Sequence, residues 1–449
     1  MPEKAASREG LILSVNAGSS SLKISLYRLV SPVAQTTETD PVELLLVSNI
    51  TNISTSPASF SFSLAAHGSG REAKKEPVES IHDHASAFAH FLDYLGREAS
   101  IEQSQIAHVC HRVVHGGDSF EPLVITKESY EYIEHLSDLA PLHNGAALSV
   151  IEACMEALPQ SQSIAYFDTS FHRSIPPHIA SYAIDQSVAK KRGLKKYGFH
   201  GLSYAYILRA VSQFLQRDQN TLNLIVMHLG SGASVCAIKQ GKSLDTSMGL
   251  TPLSGLPGAT RSGIVDPSLI FHYTNRAGRV THDQSQAVNI HVTQAEEILN
   301  KQSGWNAITG TTDFGEITKR RNETADKVAA GTASEDEAKW KLAFDLFVDR
   351  IYDFLGTYYV KLGGQVDALV FSGGIGEKSI ELRETVLEKL GCLGFKLEEA
   401  RNASVDKEPG VVVSVSLNTQ DHRVLVCRTD EQVEMARQCA LEKKFWADD

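Results

Sequence analysis

An α/β chain built from duplicated halves is what the sequence predicts, on three observations. Residues 11–25 (LILSVNAGSSSLKIS) and 224–238 (LIVMHLGSGASVCAI) are each an apolar strand, a Gly/Ser turn and a second apolar strand. Residues 367–379 (DALVFSGGIGEKS) give a third apolar strand running into glycines, entered from a helix, which is α/β grammar. At 449 residues the chain is too long for one core and suggests two or three domains.

The first turn sets the chemical theme. Gly18 lets the backbone approach an anion, Ser19, Ser20 and Ser21 offer donors, and Lys23 supplies a point charge, so the turn has the parts for holding a phosphoryl oxygen. An apolar strand follows it, which separates it from a phosphate loop, where a helix N-terminus must face the phosphates. The nearest imitation, Gly241-Lys242-Ser243, has Cys236 where the first glycine should stand. An ordinary hairpin turn reads the same way locally. If the two hairpins form one duplicated pair, they grip a polyphosphate from both sides.

Residues 52–77 are polar with weak strand patterning at Phe60, Phe62 and Leu64, and read as an exposed hairpin or loop. Arg112 stands at a strand end before Gly116-Gly117, where a guanidinium forms a bidentate contact with a carboxylate or phosphate; a surface arginine is the plain alternative. His108, His111 and His115 lack zinc-site spacing and nearby cysteines, so no metal site is read there. Residues 139–144 open a helix. Asp168 follows the strand QSIAYF and is presented at its carboxyl end, the edge where α/β active sites sit, although a helix N-cap is an equal reading. His200 and His228 each lie beside glycine, and Arg261 stands in the glycine-rich run 255–263; two arginines and two histidines near glycine turns suit a trianionic, trigonal transition state. The charged, Ala/Gly-rich residues 319–333 read as a surface connection between helices. A helix then starts at a Ser334/Glu337 capping box and closes at Gly363-Gly364.

A formal charge of -11 argues against broad nucleic-acid or anionic-membrane binding, so an anionic ligand must be met by a local cluster of cations. Six cysteines stand singly, without a C-x-x-C pair, and read as buried thiols of a reducing compartment with no structural disulfide or zinc. The N-terminal residues show no apolar signal core and no apolar run reaches membrane length, which points to the cytosol. No G-x-G-x-x-G with an acidic residue after it follows a first strand, which makes an NAD-dependent dehydrogenase a weak reading.

Taken in order, VNAGSSSLK, HRVVHGG, LAPLHN, FDTSFH, YGFHG, HLGSGAS, the segment from TPL to TRSG, FSGGIGE and RTDEQ resemble the acetate kinase family from Leu11 to Arg437. The resemblance implies a member of the acetate and sugar kinase, Hsp70 and actin superfamily, with a two-domain, duplicated, actin-like (ribonuclease H-like) fold and an active site in the interdomain cleft. The domains it implies are 1–169 with about 425–449, and 170–424. The implied activity is a phosphotransferase with a carboxyl acceptor: reversible, Mg²⁺-dependent in-line transfer of the ATP γ-phosphoryl to acetate, giving acetyl phosphate and ADP, in a cytoplasmic homodimer.

By the resemblance, Asn16, Arg112, Asp168, His200 and Arg261 fall on the family's catalytic positions, and Asn16 with Glu431 would position Mg²⁺ or Mn²⁺. Arg112, Val114, Leu142, Phe199 and Pro252 match the pocket for acetate. The nucleotide would meet Ser19, Ser21 and Lys23 on the first turn and His228, Gly230, Ser231 and Gly232 on the second. Asp313, Phe314, Gly315, Gly374, Ile375 and Gly376 would line the rest of its site. The chain departs from the family at Ser231 (usually Asn), Gly315 (often Arg), and Leu202 and Tyr204 (usually Thr and His), which leaves the phosphoryl-transfer set intact but puts the nucleotide contacts in question. Rivals within the class are a pyrophosphate-dependent acetate kinase, opposed by the room the Gly374-Ile375-Gly376 turn leaves for adenine, and a propionate or butyrate kinase. A rival of another class is an actin- or Hsp70-like nucleotide-binding module, which has no need of the Arg112, Asp168, His200 and Arg261 set.

Overall fold

The computed structural model describes residues 10–18, 20–30, 40–65, 75–136, 141–273, 280–282, 291–417 and 422–446. Two compact units share the chain: Met1–Ser170 with His282–His291 and Asp430–Asp449, and Phe171–Thr281 with Val292–Thr429.

The first unit's strands are Leu11–Ala17 (β1), Ser21–Leu29 (β2), Val42–Thr51 (β3), Ala58–Leu64 (β4), Glu76–Val78 (β5), Ile106–Val113 (β6), Leu123–Val124 (β7) and Gln162–Phe167 (β8). Among the described residues they form one sheet in the order β5–β4–β3–β2–β1–β6–β8–β7. β1 to β5 are an antiparallel meander, and β1, β6 and β8 run parallel. β1 is apolar almost throughout because both of its faces are covered. Leu13 and Val15 pack with Phe88, Phe91 and Val150 from helices His84–Tyr94 and Pro141–Ala157. Ser14, between them, points the other way: its hydroxyl donates to the Gln432 carbonyl at 2.9 Å and Gln432 Nε2 donates back to the Ser14 carbonyl at 3.1 Å. That exchange fastens helix Glu431–Leu441 to the first strand.

The second unit repeats the plan. Strands Leu224–Leu229 (β9), Ala233–Lys239 (β10), Lys242–Thr246 (β11), Ala368–Ser372 (β12), Val412–Ser414 (β13) and Arg423–Cys427 (β14) lie in the order β11–β10–β9–β12–β14–β13. Here too a hairpin, β9–β10, feeds parallel neighbours β12 and β14. The duplication read from residues 11–25 and 224–238 therefore extends to five strands on each side. Its core joins Met227 and Val235 to Phe344, Phe347 and Ile351 of the long helix Glu335–Lys361, which starts at the Ser334/Glu337 capping box; Gly363 and Gly364 follow it with φ of 66° and 72°.

Four expectations are corrected. Residues 58–64 are a sheet strand with Phe60 and Phe62 buried, because the period-2 apolar pattern, though short, found a partner in β3. Residues 319–329 belong to helix Phe314–Ala329, whose N-cap Asp313 accepts from Gly315 N–H; the charged composition is its solvent face. Gly374-Ile375-Gly376 is the first turn of helix Gly373–Lys378 and not an open turn. Of the six cysteines, Cys392 is exposed and the other five are buried. Among the described residues no helix is long and apolar enough to cross a membrane.

Candidate functional site

In the first unit, strand register brings the candidate residues together. Val113 pairs with Phe167 across β6 and β8, so Arg112 and Asp168 meet at the carboxyl end of parallel strands. Arg112 Nη2 and Nε donate to the same Asp168 oxygen at 2.6 and 3.0 Å, and Nη1 donates to Asn16 Oδ1 at 3.3 Å. Asn16 in turn donates through Nδ2 to Glu431 Oε2 at 2.8 Å, and that oxygen lies 3.8 Å from Arg112 Nε. The Asp168 side chain is fully buried and that of Arg112 is 17% exposed. Burial works against the guanidinium charge, but Asp168 and Glu431 outweigh it and hold Arg112 above its ordinary pKa. The single guanidinium of Arg112 is thus fixed by Asn16, Asp168 and Glu431, so that four separate stretches of chain meet there.

The loop after β6 is held by Asn144, whose side chain accepts from His115 N–H and donates to the His115 carbonyl, and by Thr169, whose hydroxyl accepts from Gly116 N–H. A Cβ at Gly116 would sit 2.4 Å from Phe167, so only glycine fits there. Val114 is half-buried on this loop, and Leu142 lies in the first turn of helix Pro141–Ala157. Lys23 is exposed on β2 opposite Asn16, and the Ser21 carbonyl accepts from Gly18 N–H at 2.8 Å to close the turn. Ser19 lies outside the described residues.

In the second unit His200 takes a left-handed backbone (φ 58°, ψ 25°) as the residue before helix Gly201–Leu215. That conformation costs a non-glycine residue about 1 to 2 kcal/mol. Its ring leaves the helix end uncapped and turns to Ser234 Oγ, 2.8 Å from Nδ1. The ring stacks on His228 with centroids 4.2 Å apart, and His228 Nδ1 is 2.7 Å from Ser203 Oγ. Arg261 Nη1 donates to the Pro252 carbonyl, and its guanidinium lies against the Gly230–Gly232 turn, where a Cβ on Gly232 would be 3.1 Å from Nη2. Phe199 is buried, and its carbonyl accepts from His172 Nε2 at 2.9 Å.

A cavity of about 800 Å³ opens beside that turn. Of the residues named for the nucleotide, Gly230, Ser231, Asp313, Phe314, Gly315, Gly374 and Ile375 line it; His228, Gly232 and Gly376 are not part of its lining. Gly373, at φ +75°, allows the close approach: a Cβ there would be 2.7 Å from the Leu229 carbonyl. Of the departures from the family pattern, Ser231 and Gly315 are in the lining. Leu202 and Tyr204 are buried in helix Gly201–Leu215, where Tyr204 O–H meets Ser234 Oγ at 2.5 Å. Sequence reasoning missed Trp305, Thr318, Asn322 and Glu323. The signal is a spacing of four, Phe314, Thr318 and Asn322 on one face of helix Phe314–Ala329, which the charged composition of residues 319–333 hides.

Two buried histidines bordering these clusters, His111 and His172, predict an acid limit to stability. Burial pushes His111 down to about 3 and, with Lys196 adding to it, His172 down to about 4. The unfolded chain takes these protons near pH 6.5 while the folded chain refuses them, so their stabilisation is complete above pH 6.5 and falls as pH drops toward 4. Each contributes a slope of up to about 1.4 kcal/mol per pH unit in that window. Urea midpoints measured from pH 8 to pH 5 are expected to fall only below 6.5, and less steeply in His111→Gln; a midpoint flat to pH 5 would contradict this.

The family model that matches residues 11–437 is described as the acetokinase family. A "probable acetate kinase" of Emericella nidulans is 47% identical over 436 residues, 95% of this chain and 97% of that protein. Among solved structures, a propionate kinase from Francisella tularensis superposes with a TM-score of 0.76 at 32% identity, covering 96% of this chain and 98% of the other. A Porphyromonas gingivalis acetate kinase does so with 0.74 at 30%, covering 96% and 100%.

Proposed function

The chain belongs to the acetokinase family, and we propose that it transfers the γ-phosphoryl of ATP to acetate, reversibly and in line, forming acetyl phosphate and ADP. The observation that carries this reading is the buried Arg112–Asp168 pair at the strand ends, joined to Asn16 and Glu431, in a chain that matches the family across residues 11–437. A nucleotide-binding module of the actin or Hsp70 kind has no use for a locked guanidinium there.

Acetate is already a carboxylate at neutral pH, so the site needs no general base. Its demands are orientation of the nucleophile and neutralisation of the charge on the transferring group. Arg112, fixed by Asp168, would hold the acid carboxylate and an equatorial phosphoryl oxygen. Arg261 and His200 would donate to the same developing charge, and Val114 would contact the methyl group. The 800 Å³ cavity is of the size that takes a nucleoside and favours ATP over pyrophosphate as donor. The carboxylate of Glu431 and the amide oxygen of Asn16 are hard donors and few in number, which fits a Mg²⁺ that keeps most of its water; when bound it would neutralise phosphate charge.

The test is acetyl phosphate formation, trapped with hydroxylamine, across ATP and pyrophosphate as donors and acetate, propionate and butyrate as acceptors. Product from ATP and acetate is the expected result. Product from pyrophosphate alone, or none from any acid, overturns it. The likeness to a propionate kinase makes the acid pocket the second question. Val114→Ala is expected to raise kcat/KM for propionate relative to acetate about tenfold, the worth of one methylene in an apolar pocket. An unchanged ratio would remove Val114 from the pocket.

A further inference from the structure

We infer that Tyr204 acts as a positioning residue, setting through Ser234 which nitrogen of His200 carries the proton, so that an Nε2–H is presented to the transferring phosphoryl group. This rests on the role given to His200 above. Tyr204 is fully buried four residues along from His200, and its backbone N–H donates to the His200 carbonyl at 3.0 Å, so helix Gly201–Leu215 ties the two together. Its hydroxyl lies 2.5 Å from Ser234 Oγ, which lies 2.8 Å from His200 Nδ1. Ser234, on β10, is itself buried.

The direction of this chain follows from the relative acidity of its two hydroxyls, because hydrogen counting alone also permits the reverse order. A serine hydroxyl has one hydrogen and a phenol is the more acidic of the two hydroxyls, so Tyr204 donates to Ser234 and Ser234 spends its hydrogen on Nδ1. Nδ1 is then an acceptor, and the proton of the neutral imidazole resides on Nε2. Rotation that would exchange the nitrogens is opposed by the stack on His228, with ring planes 22° apart. The left-handed backbone at His200 is what turns the ring away from its helix and toward this relay.

Tyr204→Phe deletes only the hydroxyl. It is expected to lower kcat about tenfold and Ser234→Ala about thirtyfold, with KM for ATP and acetate within about twofold, because the ring that meets the transition state is mis-set and the binding surfaces are not. The double variant should be no slower than Ser234→Ala, and Ser234→Thr, which keeps a hydroxyl, should recover most of the rate. Imidazole ¹⁵N spectra of the full chain should assign Nε2–H to His200 in the wild type and a mixture of tautomers in Ser234→Ala. An unchanged kcat in Tyr204→Phe, losses that multiply in the double variant, or an Nδ1–H tautomer in the wild type would each overturn the relay. The spectrum needs no turnover, so it reads the relay even if the proposed reaction fails. Full activity in His200→Ala would instead overturn the role of His200 itself.

Discussion

Arg112→Ala is expected to lower kcat for acetyl phosphate formation by about three orders of magnitude, roughly 4 kcal/mol of transition-state stabilisation. The guanidinium is held on one edge by Asp168 and toward Asn16 on the other, so it does not reorganise when charge develops on the phosphoryl oxygens. The same substitution also damages the fold. Asp168 is fully buried, and removing one partner of a buried ion pair costs about 3 to 5 kcal/mol because the other charge is stranded. Loss of activity therefore has to be separated from loss of protein. Adding Asp168→Asn to Arg112→Ala removes the stranded charge, and the double variant should regain most of the lost melting temperature without regaining turnover. Arg112→Lys keeps a charge but loses the planar fork, and should fall between wild type and alanine. Turnover near wild type in folded Arg112→Ala would refute the assignment.

What the chain discloses before folding is the strands and the chemistry at their ends. β1 and β9 are legible as apolar runs, and Asp168 as the residue after QSIAYF. The pairing of Arg112 with Asp168, 56 residues on, is not, since it depends on β6 and β8 lying parallel with Val113 opposite Phe167. Local sequence says nothing about that register. Helix Phe314–Ala329 was hidden for a different reason: it buries only Phe314, Ile317 and Thr318 at its first turn, and beyond them a run such as KRRNETADK carries too little apolar periodicity to mark a helix. With the helix went Thr318, Asn322 and Glu323 of the cavity. Tyr204 was read as a departure at a nucleotide contact, because only the folded chain brings its hydroxyl to Ser234.

Arg261→Ala makes the opposite test of the same chemistry, and is expected to cut kcat by about two to three orders of magnitude while leaving the melting temperature nearly unchanged. Among the bonds of its guanidinium is one to the Pro252 carbonyl, a neutral acceptor, and loss of such a bond costs about 1 kcal/mol, a small share of the stability of a 449-residue chain. The segment that carries it is fixed by backbone bonds that the substitution leaves alone. Gly258 N–H donates to the Arg261 carbonyl at 3.0 Å, Ala259 N–H to the Ser231 carbonyl at 2.9 Å, and Trp305 N–H to the Gly258 carbonyl at 3.2 Å. The loop and the Gly230–Gly232 turn should therefore keep their places, so ATP affinity, measured by calorimetry on the variant, is expected to change by less than about threefold. A collapse of ATP binding alongside kcat would mean that Arg261 holds the ground-state nucleotide, and unchanged turnover would mean that it touches neither state. Only loss of kcat with affinity retained marks a cation whose contact strengthens as the phosphoryl group moves.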